Sequence, residues 1–242
     1  MTTSVVLIHG AWHGAWCFER VLTELEQAGI PAIAVDLPGH GEDPGPLSNL
    51  HGDSARVREV LDQLDGDCVL LGHSYGGAVI TEAGTHPAVK HLVYLCAFAL
   101  KAEESCIAAA VAESAALDIS HDGRPNLADG IVGDPDGTST VEPGLAAECF
   151  YNDCNPESTA WALAQLGPQP LVTLGDSPTA VAWHDRPSTY VVCTEDLAVH
   201  PDLQRAMARR CTTAVEWPTS HSPFLSAPER FVSLLSDLVV AT

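Results

Sequence analysis

Gly72-His73-Ser74-Tyr75-Gly76-Gly77 follows the apolar run Cys68-Val69-Leu70-Leu71 and precedes a segment containing Ala78, Val79 and Ile80. Strand, sharp turn and helix are the expected succession. A G-x-S-x-G at such a junction predicts a nucleophile elbow, in which flanking glycines permit a strained turn that presents a serine hydroxyl at the carboxyl edge of a sheet. Ser74 is the candidate nucleophile.

Outward from that stretch, apolar runs of strand length alternate with amphipathic stretches of helix length, the pattern of a parallel α/β sheet. Upstream, Val5–Ile8 is predicted as a strand, followed by the glycine-punctuated loop from His9 to Trp16. Phe18, Val21, Leu22 and Leu25 then recur at helical spacing as far as Gly29. Pro31–Val35 is the next strand, Asp36–Gly41 a turn, and Asp53–Leu64 a helix with Val57, Val60, Leu61 and Leu64 on one face. The helix after the elbow is expected from Gly76 to about Thr85, with Pro87 as its stop. Val89–Phe98 is a further buried strand.

After Phe98 the alternation breaks down. An Ala-rich helix (Ile107–Leu117), a loop rich in Gly, Pro and Asp (His121–Pro143) and a helical pair (Leu145–Tyr151, Ser158–Leu166) precede the strand Tyr190–Cys193. The helix Pro201–Arg210, the strand Ala214–Trp217 and a closing helix from Pro228 to about Val240 complete the series. The expected organisation is therefore a core of residues 1–99 and 188–242, with residues 100–187 inserted as a helical cap over the elbow.

The chain has 242 residues and is 46% hydrophobic, enough for one domain with an insertion. No basic leader precedes Val5 and no apolar run approaches membrane-spanning length, so the reading is cytoplasmic. A formal charge of −21, with Lys90 and Lys101 the only lysines, argues against nucleic acid and membrane surfaces as partners. The eight cysteines contain no C-x-x-C pair, and Cys68, Cys96 and Cys193 sit in strand-like runs, which points to buried free thiols. The oligomeric state is left open between monomer and homodimer.

Acyl transfer by serine requires a base, a carboxylate to orient it and donors for the oxyanion. In an elbow fold they follow the chain order Ser, acid, His, each at the carboxyl end of a strand. His221 follows the last strand and Asp196 the one before it; Glu195 is the rival acid, its side chain turned the other way in an extended segment. Among eleven histidines, His73 is expected to point away from Ser74, and His200 to face solvent at a helix start. His9 and His13, at i and i+4 in a loop without an adjacent acid, are read as structural or pocket-lining, so no metal site is expected. The oxyanion donors are expected to be the backbone N–H groups of Tyr75 and Ala11, with Gly10 allowing close approach. Trp12, Phe150, Tyr151 and Trp161 are candidate pocket residues, and Trp183 is a further cap aromatic.

Taken together, His9–Cys17, Asp36–Gly41, the elbow, Thr194–Asp196 and His221-Ser222-Pro223-Phe224 resemble the α/β-hydrolase superfamily. The likeness extends to the stretch Phe150–Glu157. More narrowly, the chain is similar to the branch holding plant methylesterases, salicylate-binding esterases, hydroxynitrile lyases and bacterial relatives. The resemblance implies about six mostly parallel strands, a helical cap, a Ser74-Asp196-His221 triad and no cofactor. It also implies small carboxylic esters as substrates, with amides, thioesters and lactones open to the same machinery. Lyases of the rubber-tree type carry threonine where this chain has Gly10 and lysine where it has Ser222, so hydrolysis is favoured over cyanide elimination. A non-catalytic ligand-binding protein or a cofactor-independent oxygenase are the remaining alternatives on this fold.

Overall fold

A computed structural model describes residues 3–117 and 123–242. The amino-terminal half alternates as the sequence predicts: β1 (Ser4–Ile8), α1 (Glu19–Gln27), β2 (Ala32–Val35), α2 (Leu50–Asp62), β3 (Cys68–His73), α3 (Gly76–Ala83) and β4 (Val89–Leu95). Helix α2 begins three residues before the expected start. Asn49 caps it by accepting from the Gly52 N–H at 3.0 Å, and Leu50 is already buried.

Six strands form one parallel sheet in the order β2-β1-β3-β4-β8-β9, where β8 is Ser188–Cys193 and β9 Thr213–Trp217. The apolar runs of β1, β3 and β8 are buried on both sides, as a sheet with helices on both faces requires. Right-handed crossovers set α1 on one face and α2 and α3 on the other. The closing helix α10 (Pro228–Ala241) packs against α1. Because every strand runs the same way, the loops after β1, β3, β8 and β9 converge on one edge of the sheet.

Between the neighbouring strands β4 and β8 the chain leaves the sheet. It forms α4 (Cys106–Leu117), β5 (Ile131–Gly133), β6 (Thr138–Val141), α5 (Pro143–Tyr151), α6 (Pro156–Leu163), β7 (Gln169–Pro170) and α7 (Leu171–Gly175). The loop expected at residues 121–143 begins outside the described residues, and its remainder is not a loop. It contains a single 3-10 turn, Leu127–Gly130, and the β5–β6 hairpin, which β7 extends into a three-stranded antiparallel sheet. The hairpin turn is fixed by Asp136, which accepts from the Thr138 N–H and hydroxyl, and by Gly137 at φ 89°. The excursion is therefore mixed rather than all-helical. Beyond it, α8 (Pro201–Ala208) follows β8, and a short α9 (Pro223–Ser226) precedes α10.

All eight cysteines are free thiols. No helix among the described residues is long and apolar enough to cross a membrane.

Candidate active site

Ser74 follows the last residue of β3 with φ 53°, a left-handed conformation that costs a non-glycine residue energy and marks a site worth explaining. Its backbone is held from both sides: its N–H donates to the Leu95 carbonyl at 3.2 Å, and its carbonyl accepts from Gly77 and Phe98. Room for the turn comes from Gly76, where a Cβ would lie 2.6 Å from the carbonyls of Ile8 and His9. His73 and Tyr75 are buried on either side, while Ser74 itself is only half-buried.

Asp196 and His221 are brought together by the loops after β8 and β9. His221 Nδ1 donates to Asp196 Oδ2 at 2.8 Å, and both side chains are buried. Glu195, the rival carboxylate, is exposed. The Asp196 carboxylate is saturated with donors: Oδ1 accepts from the N–H groups of Ala198 and Val199, and Oδ2 also accepts from Gln204 Nε2 at 2.8 Å. Gln204, on α8, further spans the strand end by accepting from the Cys193 N–H and donating to the Val199 carbonyl. Sequence reasoning does not single it out. The available signal is a glutamine between the core positions Leu203 and Met207, since a polar group on the buried side of a helix must find partners.

His73 reaches His221 from below. Its Nε2 donates to the His221 carbonyl at 2.9 Å, the rings lie 4.5 Å apart, and the Cys96 thiol donates weakly to the same carbonyl. Ligand atoms of His73, Cys96 and His221 thus lie close together. Two of the three already share one backbone acceptor, so the cluster is explained as a clamp on His221. No hydrogen bond joins Ser74 to His221 among the described residues; the two are related through His73, adjacent to one in sequence and to the other in space.

The other histidines considered in the sequence, His9, His13 and His200, have local partners. Burial, reinforced by neighbouring histidines, holds His9 and His73 well below the ordinary imidazole range and His13 down to about 4. All three are therefore neutral near pH 7 and do not oppose a positive charge on His221. His9 accepts from the Leu37 N–H, and His13 donates to the Ala11 carbonyl and accepts from the Tyr151 hydroxyl. His200, expected in solvent, is half-buried and caps α8 by accepting from the Asp202 N–H.

The Ala11 and Tyr75 N–H groups make no hydrogen bond among the described residues, and both residues are buried beside the elbow. Their loop is fixed by its neighbour. Trp12 adopts φ 62°; its N–H donates to Gln169 Oε1, its indole N–H to Ser139, and its carbonyl accepts from Gly167. Of the expected pocket residues, Phe150 lies against both Trp12 and His221, with ring centroids 6.1 and 5.6 Å away, and Tyr151 against His13. Trp161 stands apart. It is 38% exposed and packs edge-on against Trp16, which in turn stacks on His13. Trp183 donates its indole N–H to the Leu100 carbonyl. A cleft of about 470 Å³ between α4 and the loop after β8 borders Asp196 but neither Ser74 nor His221.

With this geometry in place, the wider likeness of the chain is informative. A model of the alpha/beta hydrolase family matches residues 5–234, and the chain belongs to that family. Among curated proteins it is similar to a pyrethroid hydrolase of Sphingobium wenxiniae, 29% identical over 262 residues covering 99% of this chain and 88% of that one. It is also similar to methylesterase 7 of Arabidopsis thaliana, 27% identical over 257 residues, 96% and 95% of the two chains. A crystal structure of a pyrethroid hydrolase from Sphingobium faniae superposes with a TM-score of 0.84 at 26% identity, covering 100% of this chain and 98% of the other.

Proposed function

We propose that the protein is a carboxylesterase-type serine hydrolase that cleaves small esters through Ser74, His221 and Asp196. The observation that carries this is the strained Ser74 turn at the end of β3, set at the same sheet edge as the buried Asp196–His221 pair. With Nδ1–H committed to Asp196, His221 offers the lone pair of Nε2 as base. Ser74 Oγ attacks the ester carbonyl carbon while its proton passes to Nε2; the contact between them tightens when substrate binds. The tetrahedral oxyanion is held by the N–H groups of Ala11 and Tyr75. Collapse expels the alcohol, which takes the proton from His221, and leaves the acyl group on Ser74. Water, deprotonated by His221, then releases the acid. Residues 100–187 act as a cap whose aromatics bound the acyl or alcohol part.

Gly10 favours hydrolysis over carbon–carbon cleavage. A Cβ there would lie 2.9 Å from both Ser74 Cβ and His73 Nδ1, so this backbone leaves no space for a hydroxyl-bearing side chain beside the nucleophile.

Incubation with a short p-nitrophenyl ester, mandelonitrile and a fluorophosphonate probe tests the reading. Ester hydrolysis and labelling are expected, with Ser74→Ala losing on the order of 10⁶ in turnover and all labelling while melting as the wild type does. A Ser74→Ala protein retaining a tenth of wild-type activity would remove Ser74 from the role, and cyanide release without ester cleavage would make the protein a lyase.

A further inference from the structure

We propose that the segment closing α5, Phe150–Asp153, is a bridge that holds the acid and base loops in register, with Asp153 the positioning residue for His221. The inference rests on the serine-hydrolase reading and deepens it. Each of the four residues reaches a different part of the site. Phe150 packs on the His221 ring, and the Tyr151 hydroxyl donates to His13 Nε2 at 2.9 Å beneath the Ala11 loop. Asn152 Nδ2 donates to the Glu195 carbonyl at 3.1 Å, one residue before the acid. Asp153 accepts from the Ser220 N–H at 2.8 Å with one carboxylate oxygen and from the Ser220 hydroxyl with the other, one residue before the base.

Besides the His221–Asp196 pair, the acid and base loops are already tied through their backbones, by the Thr194 N–H to the Trp217 carbonyl at 2.8 Å and the Glu195 N–H to the Thr219 carbonyl at 3.0 Å. The bridge closes those contacts into a ring. On its carboxyl side, His221 is anchored by His73 and Cys96 at its own carbonyl; on its amino side, the Ser220–Asp153 pair supplies the corresponding anchor. Ser220 is fully buried beneath the half-buried Asp153, which accepts from both its N–H and its hydroxyl. A carboxylate receiving two donors from one residue fixes both the peptide plane and the side chain of that residue. Loss of the anchor frees the imidazole to turn about Asp196, and a displacement near 1 Å costs on the order of 10²-fold in rate.

The experiment measures kcat and KM for p-nitrophenyl acetate, the rate of fluorophosphonate labelling and the melting temperature for wild type, Asp153→Ala, Asp153→Asn and Ser220→Ala. Asp153→Ala is expected to lower kcat and labelling together by about 10²-fold with KM within about twofold of wild type. Asp153→Asn should restore most of the rate, since an amide still accepts the Ser220 N–H and offers its NH2 to the hydroxyl. If Asp153→Ala does not fold, Ser220→Ala carries the test, with about a tenfold loss of kcat at an unchanged melting temperature. A kcat within twofold of wild type in the deciding variant, or a loss that follows KM rather than kcat, overturns the bridge and leaves the esterase reading standing. A wild type that does not label at Ser74 overturns both.

Discussion

The parallel sheet and the excursion between β4 and β8 are built on different terms. In the sheet, β3 and β8 are buried along their whole lengths, and the candidate residues Ser74, Asp196 and His221 follow the ends of β3, β8 and β9, located by backbone topology. The excursion has strands of two to four residues, leaves Val132 and Trp161 open to solvent, and meets the site through side chains: Phe150 on His221, Gln169 on Trp12. The contrast teaches that the sheet, its strand-end loops and α8 both place and hold Asp196 and His221, while the excursion lays further side chains over them.

The sharpest way to break that contrast is at the acid. Asp196→Asn should lower turnover roughly 10⁴-fold, because an amide no longer fixes the His221 tautomer or stabilises its cation. Glu195→Gln, exposed and bonded only through its backbone among the described residues, should stay within a factor of a few in the same ester assay. If Glu195→Gln proves the more damaging, the end of β8 does not supply the acid.

A second test lies where the two regions meet. Asp53, on α2, is buried beneath Tyr75, whose hydroxyl donates to it at 2.6 Å; its other oxygen has no partner among the described residues, and Asp176 from the excursion adds repulsion. Burial pushes its carboxyl up to about 7. An aspartate in the unfolded chain titrates near 3.9, so between about pH 4 and 7 the folded state keeps a proton that the unfolded state has lost, and stability falls as pH rises through that window. Every tenfold difference in acidity between the folded and unfolded carboxyl corresponds to about 1.4 kcal/mol, making a few kcal/mol the ceiling. The melting temperature of Asp53→Asn relative to wild type should climb from pH 4 to 7 and then level off. A difference constant over that range would show that Asp53 is ionised throughout.

The smallest effect is expected at Trp161. Its edge-to-face contact with Trp16 is worth about 1 kcal/mol, so Trp161→Ala should lower the melting temperature by a few degrees and leave the ranking of p-nitrophenyl esters by chain length unchanged. A changed ranking would return Trp161 to the pocket and make the outer excursion a selector of substrates.

The difference between the regions also explains what the sequence discloses. The sheet strands carry apolar runs such as Val5–Ile8, Cys68–Leu71 and Leu92–Leu95, with glycine or proline punctuation between elements, and the elbow, Asp196 and His221 follow from strand ends and chain order. Strands β5 and β6, of three and four residues, are too short for an alternating pattern to rise above the surrounding Gly, Pro and Asp, although Asp134-Pro135-Asp136-Gly137 carries turn chemistry. The five-residue α7 is hidden for the same reason. The partners of His73 are beyond reach because its acceptor is a backbone carbonyl far along the chain, and a carbonyl leaves no trace in residue type. Trp161 is nominated by composition alone, which cannot distinguish an aromatic at the site from one at the rim.

The pairing of Leu92 with Ser188 brings together two points between which the whole excursion is strung. Closing a loop of that length costs only about 1.2 kcal/mol more than closing one a quarter as long, so its size is free to drift among relatives at little thermodynamic expense. Timing is less forgiving. The strained serine emerges from the ribosome early, whereas His221 follows after roughly 7–30 s of further synthesis, and it is placed only once β8 and β9 have docked. Through that interval the nascent chain holds Ser74, the proposed nucleophile, without His221, its proposed base, and the proposed triad is complete only once β9 is in place.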